Sequence, residues 1–248
     1  GTKAPAVWIR LGWHLYHLAK RRGAVGFLGI LVDQPGGSCE MFAPYGFREK
    51  NIWDKPLPGG WIRRQDGKRL KESAQKGMKA RIRITGERRP SMSHNIVGRI
   101  EGTSKENTVI SCHHDSPFTS PVEDATGVSV VLSLAKYFAH RKNRPHRSLV
   151  FLFTSGHFYG SIGTKAFLKA HAGDIVKNTA LAVSIEHVAL EAKEGSDGNL
   201  VATGQPEIAA LFAPFNRKLA AEILKIAEIH QLKRLVLLPP EGPLGDYP

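Results

Sequence analysis

Four short stretches carry side chains able to do chemistry. Cys112-His113-His114-Asp115, Ser155-Gly156-His157-Phe158-Tyr159-Gly160 and Glu186-His187 each leave an apolar, β-rich run. The fourth, Glu123-Asp124-Ala125-Thr126-Gly127, opens a run with helical periodicity. Imidazole and carboxylate bind divalent ions and move protons near neutral pH. Gathered from several loops, they form the donor set of a metal site. Each stretch also has a purely structural explanation. Glu123 and Asp124 are acids favoured at a helix N-terminus, and His157 can be a hydrogen-bonded histidine that fills space. Glu186 and His187 are neighbours and face opposite sides of a strand, so one of the two at most enters a site. Cys112 reads as buried and inert.

The elements that must position these groups follow from periodicity. Strands are predicted at 95–100, 108–112, 148–154, 180–188, 199–202 and 234–238, and helices at 126–140, 164–170 and 216–231. The helical stripe Leu219, Ile223, Leu224 and Ile226 is assigned to the core. Alternating strands and helices imply an α/β sheet covered on both faces, with its chemistry at the carboxyl ends of the strands. Upstream, the pattern predicts a helix at 11–22, a buried strand at 24–32, loop at 33–60, a short helix at 67–76 and a strand at 80–85.

Composition sets the outer bounds. The 248 residues are 42% hydrophobic and 23% charged, which excludes a largely disordered chain or a fibre. The two cysteines are too few for a disulfide scaffold or a cysteine zinc site, and no apolar run is long enough to span a membrane. Charge is uneven: residues 1–90 hold 19 Lys and Arg against 7 Asp and Glu, a net of +12, whereas 91–248 hold 16 against 15. Two units with different surfaces are expected. No stacking motif or recognition helix accompanies the basic charge, so nucleic acid is not expected as a partner. No signal peptide is visible, and both ends read as cuts in a longer chain, which leaves the compartment open.

Five segments, in order, resemble metallopeptidase family twenty-eight, the zinc aminopeptidases. Ser93-His94-Asn95-Ile96-Val97-Gly98 resembles the entry strand, and Cys112-His113-His114-Asp115-Ser116 the His-x-Asp motif. Glu123-Asp124-Ala125-Thr126-Gly127-Val128 resembles the Asp-(Asp/Asn)-x-Ser-Gly motif. Gly156 to Thr164 resembles the Glu-Glu-x-Gly-x-x-Gly-Ser motif, and Val183 to Val188 the Asn-Leu-Asp-Met strand. The resemblance implies an α/β fold with a mixed, mostly parallel sheet and helices on both faces over 91–248. Upstream, Arg22-Gly23-Ala24-Val25-Gly26 and Leu57-Pro58-Gly59 through Gly67-Lys68-Arg69-Leu70 resemble the small α/β protease-associated domain, implied for 1–90.

The resemblance also implies roles. His113, Glu123 and Glu186 stand where the family holds one zinc, with Glu in place of Asp at both carboxylate positions. Asp115 stands where the family hydrogen-bonds the ligand histidine. The family's general-base Glu is His157 here, its zinc-ligand neighbour is Phe158, and the last His ligand falls outside the chain. One zinc at most is therefore expected, with His157 as proton carrier or further ligand. Family members are often secreted. Two functions follow: a divergent metal-dependent hydrolase of peptide or amide bonds, or a non-catalytic member that binds a protein partner.

Overall fold

The computed structural model describes residues 18–31, 57–83, 85, 87, 89–116, 121–197, 200–214 and 216–238. They fall in two compact units, one from Arg88–Ala189, the other from the described parts of Gly1–Glu87 and Leu190–Pro248.

In the N-terminal stretch, residues 18–21 are helical, the end of the helix predicted at 11–22, whose remainder lies outside the described residues. Strand β1 (Phe27–Leu31) pairs in parallel with β2 (Gly59–Arg63), and helix α1 (Arg64–Gln75) follows directly. A side chain at Gly59 would collide with the Phe27 backbone, and one at Gly67 with Ile30, so two glycines allow strand and helix to close on β1. The end of the predicted loop is thus strand; residues 32–56 lie outside the described set. The strand predicted at 80–85 does not form among the described residues there. Its Arg/Ile alternation has the right period, but a strand also needs a neighbour to take its backbone hydrogen bonds, and none is paired with it.

Arg88–Ala189 carries the candidate chemistry. Strands β3 (Ile96–Ile100) and β4 (Asn107–His113) are followed by helix α2 (Thr126–Ala139), strand β5 (Ser148–Thr154), helix α3 (Ile162–Ala170) and strand β6 (Thr179–Ser184). The sheet order is β3-β5-β4-β6, with β3 antiparallel and the other three parallel. All seven residues of β5 are buried, as expected for a strand packed on both faces. Alternate residues feed two cores. Ile110, Cys112, Leu149, Phe151 and Phe153 meet Val131 of α2 on one face, and Val109, Val150 and Leu152 meet Phe167 of α3 on the other. This is the mixed, mostly parallel α/β sheet with helices on both faces.

The remaining residues form β7 (Leu190–Glu194) antiparallel to β8 (Leu200–Pro206), then β9 (Ala209–Phe212), helix α4 (Arg217–Ile229) and β10 (Leu235–Leu238), with β9 and β10 parallel. Asn216 caps α4 by accepting from the backbone N–H of Lys218 and Leu219. The stripe assigned to the core from its periodicity is not buried: Leu219 and Ile223 are half-covered, and Leu224 and Ile226 are exposed. No helix among the described residues is long and apolar enough to cross a membrane.

Candidate metal centre

Strands β4, β5 and β6 end on one side of the sheet, because His113 is registered with Thr154 and Ser111 with Ser184. Their exits carry His113, His157 and Glu186, and the turn 121–125 that enters α2 carries Glu123. The β5 exit is held open by three devices. Gly156 and Gly160 adopt left-handed backbone (φ +69° and +79°), which glycine reaches at low cost. Asn95 clips the loop, donating to the Gly163 carbonyl at 2.8 Å and accepting from the Ser155 N–H at 3.2 Å. Gly163 packs so tightly that a side chain there would strike the Ser155 carbonyl.

His113 is 2% exposed. Its Nδ1 lies 2.7 Å from the main-chain oxygen of Asp115. A carbonyl only accepts, so Nδ1 carries the hydrogen and a neutral ring presents a lone pair at Nε2. That Nε2 is buried with no hydrogen-bond partner. Glu123 Oε1 lies 3.2 Å from it, within ion-pair reach but outside hydrogen-bond geometry. A buried lone pair facing a carboxylate is unfavourable until a cation stands between them. Without one, the proton does: burial alone would lower the His113 pKa, but Glu123, the Asp115 carbonyl, Glu186 and Asp124 raise it to about 9. Burial would raise Glu123, but His113 and His187 hold its pKa down at about 2. A metal ion competes for the same lone pair.

Ligand atoms of His113, His157 and Glu186 all lie within 4.8 Å of one another. The His157 ring stacks on His113 at 4.1 Å and 8°. Phe158 stands edge-on to both rings, at 5.9 and 5.1 Å. Burial, and then the His113 charge, push the His157 pKa down and favour its neutral form. Glu123 reaches His113 but is outside that three-way group. The donor set fits zinc, which accepts mixed imidazole and carboxylate. Bonds of about 2.0–2.1 Å put two donors of one tetrahedral zinc about 3.3 Å apart. The His113–Glu123 separation of 3.2 Å is close to that.

One sequence expectation gains detail and another needs correction. Asp115 was expected to hydrogen-bond His113; the bond runs to its main-chain carbonyl, while its carboxylate Oδ1 stands 3.8 Å from Nδ1. That carboxylate accepts the His157 N–H at 3.0 and 3.3 Å. Strand alternation was expected to admit only one of Glu186 and His187. Strand β6 stops at Ser184, and His187 turns with φ +53°, so both reach the centre. His187 Nε2 lies 2.6 Å from Glu123 Oε2, and its backbone N–H donates to Asp124 Oδ1 at 3.2 Å. The close Glu123 carboxylate raises the His187 pKa, and burial raises that of Asp124. His187 was expected only as a further donor close by, and its approach to Glu123 was not foreseen; its one sequence signal was an imidazole beside a carboxylate at a strand exit. Cys112 is 1% exposed, and burial pushes its thiol up to about 12, as suits an inert core residue.

An α/β sheet with imidazole and carboxylate at three parallel strand exits offers the donor set of a metal centre. A model of peptidase family M28 matches residues 95–228, more than half of the chain, and the chain belongs to that family. A peptidase M28 precursor from Shewanella amazonensis has the same fold, with a TM-score of 0.60 at 15% identity, covering 92% of this chain and 48% of that one. Human transferrin receptor protein 2 is 27% identical over 119 residues, 46% of this chain and 15% of the receptor. A vacuolar membrane protease of Sclerotinia sclerotiorum is 36% identical over 78 residues, 31% of this chain and 7% of the protease. The chain thus spans a small part of these two curated relatives.

Proposed function

We propose that this chain is a divergent metallopeptidase-like hydrolase that holds one zinc ion and cleaves a peptide or amide bond. The observation that carries the reading is the buried Nε2 of His113, which has no hydrogen-bond partner and faces Glu123, on a residue grouped with Glu186 and His157. His113, Glu123 and Glu186 are the proposed ligands. Zinc bound there would supply Lewis acidity and an acidified water. His157, stacked on His113 within the same group, takes the proton in place of the family's glutamate. Asp115 positions it through the His157 N–H. Phe158 offers no donor for a second ion. The match across 95–228 supports a peptidase-like domain over 91–248, and the β1–β2–α1 unit is compatible with a protease-associated domain over 1–90.

The test is turnover of aminoacyl amides and short peptides by the zinc-loaded chain. His157→Ala should lower kcat by about 10²–10⁴-fold, the usual worth of a general base. Turnover unchanged in that variant would overturn the role of His157. A second reading, a non-catalytic member that binds a protein partner, is favoured by the loss of both family glutamates at His157-Phe158 and by the likeness to a protein named a receptor. Zinc binding with no turnover of any amide would support it.

A further inference from the structure

Glu123 is flanked by two histidines. Oε1 faces His113 Nε2 at 3.2 Å, and Oε2 meets His187 Nε2 at 2.6 Å. His187 is itself anchored, because its backbone N–H donates to Asp124 Oδ1 at 3.2 Å. Asp124 is 1% exposed, and its carboxylate sits against Gly127 at the start of α2, where any side chain would collide with it. A run of contacts therefore links the helix start, through Asp124 and His187, to the carboxylate that faces His113. Glu has one more rotatable bond than Asp, so a glutamate ligand needs more restraint to present one oxygen in a fixed place.

We propose that His187 is a positioning residue for this centre: its Nε2–H holds Oε2 of Glu123, which aims Oε1 at the ion bound by His113. The inference rests on the zinc reading above. With Oε2 occupied by His187, Glu123 has one oxygen left for metal, and the centre takes a single ion. Partners of ligating carboxylates typically contribute about 10–100-fold to metal affinity.

The experiment is zinc titration of the metal-free chain by calorimetry, for wild type, His187→Asn and His187→Gln. Asparagine tolerates the left-handed backbone of position 187 but is too short to reach Glu123. Glutamine can still donate to Oε2. The expected result is one zinc in wild type, about 10–100-fold weaker binding in His187→Asn, and most of the affinity recovered in His187→Gln. Thermal midpoints of the metal-free proteins check that each variant folds. Equal affinity in His187→Asn, equal loss in both variants, or two ions in wild type would overturn the proposal. No zinc uptake by wild type would overturn the zinc reading itself, and this proposal with it.

Discussion

His113 shows how a main-chain bond selects a side chain's chemistry. Nδ1 is committed to the Asp115 carbonyl at 2.7 Å, which leaves the buried Nε2 to face Glu123. Asp115 serves both histidines, one through its carbonyl and the other through its carboxylate. Replacing the carboxylate should therefore loosen the His157 loop and leave the His113 tautomer alone. Asp115→Ala is expected to lower unfolding free energy by about 1.5–3 kcal/mol, the worth of hydrogen bonds to a charged group, with Asp115→Asn in between. Urea unfolding of the metal-free chain measures this. That His113, Glu123, Asp115, His157 and Glu186 lie near one another was legible in the sequence, because strand exits and a helix start bring them to one side of the sheet. The way Asp115 acts was not, since a carbonyl and a carboxylate of one residue are indistinguishable in sequence. Nor was the approach of His187 to Glu123, which depends on where β6 stops and on a left-handed turn.

At the scale of elements, Val/Leu/Phe density made the buried strands readable. The run 148–154 matches β5 residue for residue, and β4 and α2 fall within a residue or two of expectation. Patterns that depend on a partner failed. The segment 80–85 alternates without pairing among the described residues, β7 and β9 were unseen because their residues lack β-branched character, and α4 leaves Leu224 and Ile226 exposed. Periodicity reports what a segment can bury; the neighbours decide whether it does. The β5-to-α3 turn depends on close approach, which a lone glycine only hints at. Gly163→Ala should collide with the Ser155 carbonyl and disturb the Asn95 clip. The expected cost is about 1–3 kcal/mol, read as a lower midpoint in thermal unfolding.

Across the whole molecule, fold and charge report different things. The net +13 is concentrated in the first 90 residues, while the candidate centre lies in the nearly neutral remainder. Family membership rests on residues 95–228, and the α/β class was readable from alternating elements alone. What composition could not show is that the buried Nε2 of His113 has no hydrogen-bond partner among the described residues, and the account turns on that atom. Its most direct test is the zinc content of the purified full chain after dialysis against zinc and then metal-free buffer, with His113→Ala alongside. The account predicts about one zinc per chain in wild type and none retained in His113→Ala, with both proteins folded. No retained zinc in folded wild type, or equal zinc in the two proteins, would contradict it.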